Sequence, residues 1–184
     1  MVVFDTTVLS LLLRPGARPP LDPATGVPVA RARERLEALV ETLQKTRAVA
    51  VVPAPVLSEL LIKAGDAGPG IVTAIQRSSA FRVAPFDTRA AIELAQMTNA
   101  SLTTARERRE AVAATAAKIK FDRQIVAIAK VSGTDAIYTD DGELIAFAET
   151  NGIKCIRVAD LPVPEAARQH RLPLTPPPED ETQA

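Results

Sequence analysis

Five short apolar segments, separated by stretches with helical spacing, constrain the fold of this chain more than any other feature of its sequence. The first begins at Val2 and stops abruptly at Asp5. Segments of this kind are typical of buried strands, and their alternation with helices predicts an α/β fold with a central parallel sheet flanked by helices. We expect the strand order 3-2-1-4-5. The predicted strands are residues 2–5, 48–52, 81–86, 136–139 and 154–158.

Acidic residues stand close to the ends of several predicted strands. Asp5 ends the first strand, and Asp140 and Asp141 follow the fourth. Glu59 lies in the helix after the second strand, and Asp122 lies at the start of the helix before the fourth. Ligands of parallel α/β sheets bind outside the carboxyl ends of the strands, where the strand order reverses. In the expected order the first and fourth strands are neighbours there, so these carboxylates are predicted to meet at one edge.

Each of these acids also has a simpler interpretation. Asp5 and Asp122 are of the type that caps helix N-termini, and a Glu on a helix, such as Glu59, is usually solvated. Together, however, carboxylates packed this closely repel one another and raise one another's pKa unless a cation joins them. Oxygen ligands without His or Cys suit Mg²⁺ or Mn²⁺, and such ions promote in-line displacement at phosphorus.

Two rare residues argue against other chemistries. Cys155 is the only cysteine, so one chain can form neither a disulfide nor a thiolate zinc site. His170 is the only histidine and lies in a proline-rich C-terminal stretch, where a catalytic role is not expected. The sequence therefore disfavours a His-dependent triad and a thiol mechanism.

The charge balance is neutral, with 22 basic and 22 acidic residues, which does not favour a broad nucleic-acid binder. Basic clusters do occur near residues 31–35, 106–109 and 118–123, although each also fits a solvated helix face. With no Trp, five Phe and one Tyr, binding on stacked aromatic platforms is not expected. No apolar run approaches a membrane span, and no basic region precedes the N-terminal apolar stretch, so we expect a cytoplasmic protein.

One proline-rich segment is inserted in the predicted domain, and a second follows it. Residues 14–29 are predicted to form an irregular surface loop, and residues 161–184 an extended or disordered tail. We therefore assign residues 1–160 to one domain that contains an inserted loop. Thr104, with Glu107 three residues later, matches a capping box and predicts a helix that carries an arginine cluster and ends near Lys118.

Four short motifs, taken in order, resemble those of PIN-domain ribonucleases, most closely the VapC-type toxins of toxin–antitoxin pairs. They are VVFDTTVL at 2–9, VLSEL at 56–60, FDRQIVAIA at 121–129 and IYTDD at 137–141. The resemblance covers about residues 1–160 and rests on the order, spacing and strand-end placement of the motifs. It implies a PIN-like fold with metal ligands at Asp5, Glu59, Asp122 and Asp141. The Thr-x-Asp register selects Asp141 ahead of Asp140 as the fourth ligand.

The same resemblance implies an endoribonuclease that depends on Mg²⁺ or Mn²⁺ and leaves a 5′-phosphate and a 3′-hydroxyl. It also implies an antitoxin as partner and a homodimer as the assembly. Thr6 or Thr139 is expected to supply a hydroxyl near the metal or the phosphate. Lys120 and Arg123, from the basic cluster around Asp122, are expected to contact the RNA backbone.

Three alternatives remain open from the sequence. The proline-rich insertion and tail depart from a compact toxin, which leaves a stand-alone RNA-processing nuclease as one alternative. A non-catalytic module that binds RNA or protein is the second. The third is a phosphatase with an aspartyl nucleophile at Asp5, but such enzymes generally need a second Asp two residues later, where this chain has Thr7.

Overall fold

The sheet has the predicted topology. The structure is a computed structural model that describes residues 1–101 and 118–165. Its strands are β1 (Val2–Phe4), β2 (Ala50–Pro53), β3 (Phe81–Ala84), β4 (Ala136–Tyr138) and β5 (Lys154–Ile156). They are parallel and stand in the order β3-β2-β1-β4-β5, which confirms the predicted fold class and strand order.

Helices connect the strands, because parallel neighbours cannot be joined by a tight hairpin. In the described part of the chain they are α1 (Thr6–Leu13), α2 (Ala32–Lys45), α3 (Ala54–Ala64), α4 (Gly68–Arg77), α5 (Thr88–Ser101), α6 (Lys118–Val131) and α7 (Gly142–Thr150). Two short 3₁₀ turns add to them, Gly65–Ala67 after α3 and Val158–Asp160 after β5. Among these helices none is both long and apolar enough to cross a membrane.

The central strand β1 anchors the core. Val3 and Phe4 are completely buried, as are Val51 on β2 and Ile137 on β4. Strands covered on both faces are apolar along their whole length, which explains the uninterrupted runs in the sequence. The Phe4 ring also meets Tyr138 edge to face, with centroids 5.5 Å apart. This contact between neighbouring strands stabilises the part of the sheet that precedes Asp5.

The register of β1 and β4 decides which residues meet beyond the sheet. Val3 pairs with Ile137 and Phe4 with Tyr138, so the next residues along, Asp5 and Thr139, leave the two strands side by side. The backbone N–H of Asp5 still donates to the carbonyl of Tyr138 at 3.2 Å. The backbone at the start of the predicted site is therefore held by the sheet itself.

One predicted position is wrong in detail. Asp122 was expected at the start of its helix, with an N-cap as its simpler role, but α6 already includes Lys118. Asp122 thus lies inside α6, where the backbone N–H groups bond to carbonyls of the preceding turn and an N-cap role is excluded. The strands β3 and β5 also end two residues before their predicted ends, at Ala84 and Ile156.

The proline-rich segment 14–29 contains no helix or strand, as predicted, but it is tied together locally. Leu21 and Pro28 form an antiparallel bridge, and the N–H of Val29 donates to the carbonyl of Pro20 at 2.9 Å. The guanidinium of Arg33 then donates to the carbonyls of Leu12, at 3.0 Å, and Arg14, at 2.7 Å. This side chain therefore satisfies carbonyls at the C-terminal end of α1.

Several predictions concern residues that the structure does not describe. They are the helix expected from Thr104, the arginine cluster at 106–109 and most of the proline-rich tail, including His170. The boundary placed between residues 160 and 161 also stays a prediction.

Candidate active site

A cleft of about 550 Å³ opens at the carboxyl edge of the sheet, next to α1, α3, α6 and α7. The four acids predicted as metal ligands, Asp5, Glu59, Asp122 and Asp141, all line it. The remaining polar lining comes from Thr6, Thr7, Ser58 and Lys63, and the apolar lining from Ile62, Phe121, Ile125 and Leu144. Residues from distant parts of the sequence therefore meet where parallel sheets place their ligand sites.

Asp5 is the most deeply buried acid of the cleft, with 4% of its surface exposed. It caps α1, since its Oδ1 atom accepts from the N–H of Val8 at 2.8 Å. Its Oδ2 atom accepts from the hydroxyl of Thr139 at 2.5 Å. Burial raises the pKa of Asp5 from 3.8 to about 7, although the bonds from Thr139 and Val8 oppose this shift and nearby Asp140 and Asp141 add to it.

Thr139 connects two of the acids. This residue is fully buried, and while its hydroxyl donates to Asp5, its Oγ1 atom accepts from the backbone N–H of Asp141 at 3.1 Å. Valine would fill the same space but could do neither. The threonine of the Thr-x-Asp sequence therefore fixes the Asp5 carboxylate and the backbone that carries Asp141.

Three carboxylates form a compact cluster within the described residues. One oxygen each from Asp122, Asp141 and Glu143 can be chosen so that all three lie within 4.8 Å of one another. Asp141 is also the N-cap of α7, because its Oδ1 atom accepts from the N–H groups of Glu143, at 2.8 Å, and Leu144, at 3.2 Å. The helix start therefore holds the Asp141 side chain in place next to Asp122 from α6.

Glu59 stands at the edge of this cluster and is tied to two other groups. Its Oε2 atom accepts from the Thr6 hydroxyl at 2.6 Å, and its Oε1 atom pairs with the Lys63 ammonium at 2.6 Å, one turn along α3. Partial burial acts to raise the pKa of Glu59, but the bonds from Lys63 and Thr6 outweigh it, so that pKa is lowered. Glu59 is therefore charged at neutral pH and half exposed.

Known structures share this architecture. The chain resembles a chain of the VapBC2 complex of Rickettsia felis bound to a promoter DNA fragment, with a TM-score of 0.53 and 11% identity over 85% of this chain and 98% of that one. It also resembles DNA-bound VapBC of Salmonella typhimurium (TM-score 0.49, 16% identity, 85% and 97% covered). A third match is VapC20 of Mycobacterium tuberculosis, a Sarcin-Ricin loop cleaving toxin (TM-score 0.46, 17% identity, 79% and 94% covered).

The chain has a VapC-type PIN fold. The Rickettsia felis match, which spans nearly all of that chain with a TM-score of 0.53, carries this conclusion, and it confirms the fold expected from the sequence motifs. No family model and no curated protein matches the sequence.

Within this PIN fold, Asp140 lies away from the cleft that its neighbour Asp141 lines. Its Oδ1 atom accepts from the N–H of Val158 at 3.3 Å, and its backbone carbonyl accepts from Arg157 at 3.2 Å. Burial raises the pKa of Asp140, against the lowering effect of Val158 and Arg157. Successive side chains point in different directions where β4 ends, so the Thr-x-Asp register, which favours Asp141, agrees with the geometry.

The structure bears differently on the two basic residues that were expected to contact RNA, Arg123 and Lys120. The guanidinium of Arg123 lies 5.1 Å from the centroid of the Phe147 ring on α7, and Arg123 is not part of the cleft lining. Lys120 lies within α6, and its expected contact with RNA stays a prediction. Thr6, by contrast, lines the cleft and donates its hydroxyl to Glu59.

Sequence reasoning missed two groups of the candidate site, Glu143 in the carboxylate cluster and Lys63 in the cleft lining. Glu143 follows Asp141 by two residues at the start of α7, so an acid in the first turn of a helix beside the expected ligand was an available signal. Lys63 follows Glu59 by four residues on α3, which is the spacing of a helical ion pair.

Proposed function

We propose that this protein is a divalent-metal-dependent endoribonuclease that hydrolyses RNA phosphodiester bonds and serves as the toxin of a toxin–antitoxin pair. The observation that carries the proposal is that Asp5, Glu59, Asp122 and Asp141 line one open cleft at the carboxyl edge of the sheet, and that Glu143 adds a third carboxylate to Asp122 and Asp141. Structural acids seldom converge on an open cleft, because mutual repulsion costs stability unless a cation offsets it.

The chemistry of the donor set fits Mg²⁺ or Mn²⁺. It consists of carboxylate oxygens, the ligands that hard divalent ions prefer. Asp122, Asp141 and Glu143 would hold the ion, with Asp5 and Glu59 next to it as the further predicted ligands. A divalent ion held by these residues would supply positive charge for the scissile phosphate and would favour ionisation of the attacking water.

Hydrogen bonds within the chain orient the predicted ligands without help from a bound ion. Thr139 and the start of α1 orient Asp5, so that the carboxylate needs little rearrangement to act as a ligand. The N-terminus of α7 orients Asp141 in the same way. Burial keeps water away from Asp5, which strengthens its interaction with a cation.

The partners follow from the same proposal. The Rickettsia felis structure is a VapBC complex, and by analogy we expect a cognate antitoxin for this chain. RNA as the substrate, a homodimer as the assembly and a cytoplasmic location are further parts of the proposal.

The test is cleavage of labelled single-stranded RNA by the full-length protein with Mg²⁺, with Mn²⁺ and with EDTA. We expect cleavage with either ion, none with EDTA and at least a hundredfold lower rate for Asp5→Asn. Asp87→Asn is a matched control, because Asp87 also caps a helix, accepting from the N–H of Ala90 at 3.0 Å, but lies outside the cleft. Undiminished cleavage by Asp5→Asn would rule out the proposed site.

A further inference from the structure

The mouth of the cleft differs chemically from its acidic floor. We call three exposed lining residues the mouth, namely Ile62 and Lys63 on α3 and Phe121 on α6. Ile62 is 79% exposed and Phe121 is 49% exposed, so two large apolar side chains face solvent at the entrance. We propose that these three residues form a subsite for one nucleotide of a single-stranded RNA, in which Lys63 contacts a phosphate and Phe121 and Ile62 contact the base. This inference rests on the proposed function and specifies how its substrate is held.

Phe121 is unusual among the aromatic residues of the chain. The protein has five Phe and one Tyr, all within the described residues, and Phe121 is the one whose side chain is exposed, while the others are buried or partly buried. It lies one turn before buried Ile125 on α6 and directly before Asp122, so a base resting on its ring would be adjacent to the carboxylate cluster. Exposed aromatic rings beside a strand-binding cleft bind bases by stacking, whatever the base.

Lys63 supplies a positive charge at the same entrance. It is the one basic residue in the described lining of the cleft, against the carboxylates of Asp5, Glu59, Asp122 and Asp141. Its ammonium pairs with the Glu59 carboxylate at 2.6 Å, which holds it at the entrance. Both side chains are 47% exposed, so part of the ammonium stays accessible. An ammonium presents three donors, so it can keep Glu59 and still bind a phosphate oxygen.

The size and chemistry of the cleft favour a nucleotide over a protein segment. A volume of about 550 Å³ lies within the range of small-ligand sites. A docked protein helix, about 10–12 Å across with its side chains, would cover Lys63 and the acidic floor without neutralising them. A single RNA strand offers a flat base for Phe121 and a phosphate for Lys63 in every nucleotide. An unpaired strand is required, because bases stacked inside a duplex cannot reach the ring.

The experiment compares two ligands of equal length and charge, a fluorescein-labelled random-sequence RNA and a ribose-phosphate chain without bases. Binding to the full-length protein is followed by fluorescence anisotropy in Ca²⁺ buffer. Phe121→Leu, which keeps apolar contact but loses the ring, should weaken binding of the RNA on the order of tenfold and leave the base-free chain unaffected. Phe121→Trp should bind the RNA at least as tightly as the parent protein.

Lys63→Met should weaken binding of both ligands and lower the slope of log Kd against log salt concentration by about 0.7, the value for one phosphate contact on a single strand. Lys45→Met is its control, since Lys45 forms the same i,i+4 pair with Glu41 on α2, 3.9 Å long and away from the cleft. Ile92→Ala, which removes a 55% exposed apolar side chain on α5, is the control for Phe121.

The outcomes separate this inference from the proposed function. If the protein cleaves RNA but the Phe121 and Lys63 variants behave like their controls, the subsite is overturned and the nuclease stands. If binding depends on both residues but no metal supports cleavage, the subsite stands and the nuclease is overturned. Absence of RNA binding overturns the subsite. The subsite is also overturned if Phe121→Leu leaves RNA binding unchanged and alters only the oligomeric state, measured by light scattering, or only the binding of a protein.

Discussion

The hydroxyl of Thr139 donates a 2.5 Å hydrogen bond to the Oδ2 atom of Asp5, and so joins two residues that lie 134 positions apart in the chain. The parallel pairing of β1 with β4 makes this contact possible, because it brings the ends of the two strands level. The bond fixes the orientation of the buried carboxylate, while the same Thr139 oxygen accepts from the N–H of Asp141. One side chain thus positions two predicted ligands.

Thr139→Val should lower the rate of RNA cleavage by about 10–100-fold, the usual effect of removing a group that orients a metal ligand. The free energy of unfolding should fall by about 1–3 kcal/mol, because the N–H of Asp141 loses its acceptor and Asp5 loses a donor. Cleavage assays and urea unfolding measure the two effects. Thr134→Val, which removes a hydroxyl that donates to the carbonyl of Ala129 at 3.0 Å, is the control and should cleave normally.

Asp5→Asn should stabilise the metal-free protein at neutral pH. The folded-state pKa of Asp5 is about 7, above its ordinary value of 3.8, so the folded protein holds this proton more tightly than the unfolded chain. The contribution of Asp5 to the free energy of unfolding is therefore largest at pH values below about 4 and decreases as the pH rises toward 7. Above that pH it no longer changes. Since one pKa unit corresponds to about 1.4 kcal/mol, the effect amounts to a few kcal/mol at most.

Melting temperatures in EDTA between about pH 4 and pH 8 test this linkage. The advantage of Asp5→Asn over the parent protein should be small at the acidic end and increase through the pH range in which Asp5 ionises. Asp87→Asn is the control and should show no such pH-dependent gain, because Asp87 caps its helix at an exposed position outside the cleft. A constant difference between Asp5→Asn and the parent protein at every pH would contradict the prediction.

Asp141→Asn and Glu143→Gln should each reduce the rise in melting temperature that Mn²⁺ produces. Asn still caps a helix, so the metal-free fold of the Asp141 variant should be preserved. A tenfold weaker affinity lowers the stabilisation at saturating ion by about 1.4 kcal/mol. Differential scanning fluorimetry over a Mn²⁺ titration measures it, with Glu149→Gln, an exposed acid later on α7, as the control. Equal Mn²⁺ responses in all four proteins would remove Asp141 and Glu143 from the site.

Arg33→Met should destabilise the fold without altering the metal response. The guanidinium donates to the carbonyl of Leu12, in the last turn of α1, and to that of Arg14, which also accepts from the N–H of Ala17 at 3.2 Å. Bonds from a charged donor contribute about 1.5–3 kcal/mol, so a loss on that order is expected in urea unfolding. Arg77→Met, at an exposed position in the last turn of α4, should change stability by less than about 0.5 kcal/mol.

Much of the fold could be predicted from local sequence patterns. The apolar runs around Val3, Val51 and Ile137 identify buried strands, because a strand covered on both faces tolerates few polar residues. Alternation with helices then restricts the sheet to parallel pairing and places the acids at one edge. The exact start of α6 was not accessible, since Asp122 has the properties of an N-cap residue whether or not the helix begins earlier.

The site was predicted in part. The four acids expected from the motifs do share one cleft, yet the carboxylates that come within 4.8 Å of one another in the described residues are those of Asp122, Asp141 and Glu143. Glu143 was missed because an acid in the first turn of a helix is favourable there for electrostatic reasons alone. Asp140 was retained beside Asp141 because sequence spacing alone does not give the direction of either side chain.

The sequence by itself determined the strands, the helix caps and the acids available at the edge of the sheet, because these depend on residue type and short-range spacing. Only the tertiary structure decided which of those acids meet. Thr139 reaches Asp5 through strand register, Thr6 on α1 reaches Glu59 on α3 through the packing of those helices, and Glu143 approaches Asp122 through the packing of α7 beside α6. A carboxylate has the same chemistry in every sequence position, but its pKa, its partners and its access to a ligand are set by neighbours that come from elsewhere in the chain.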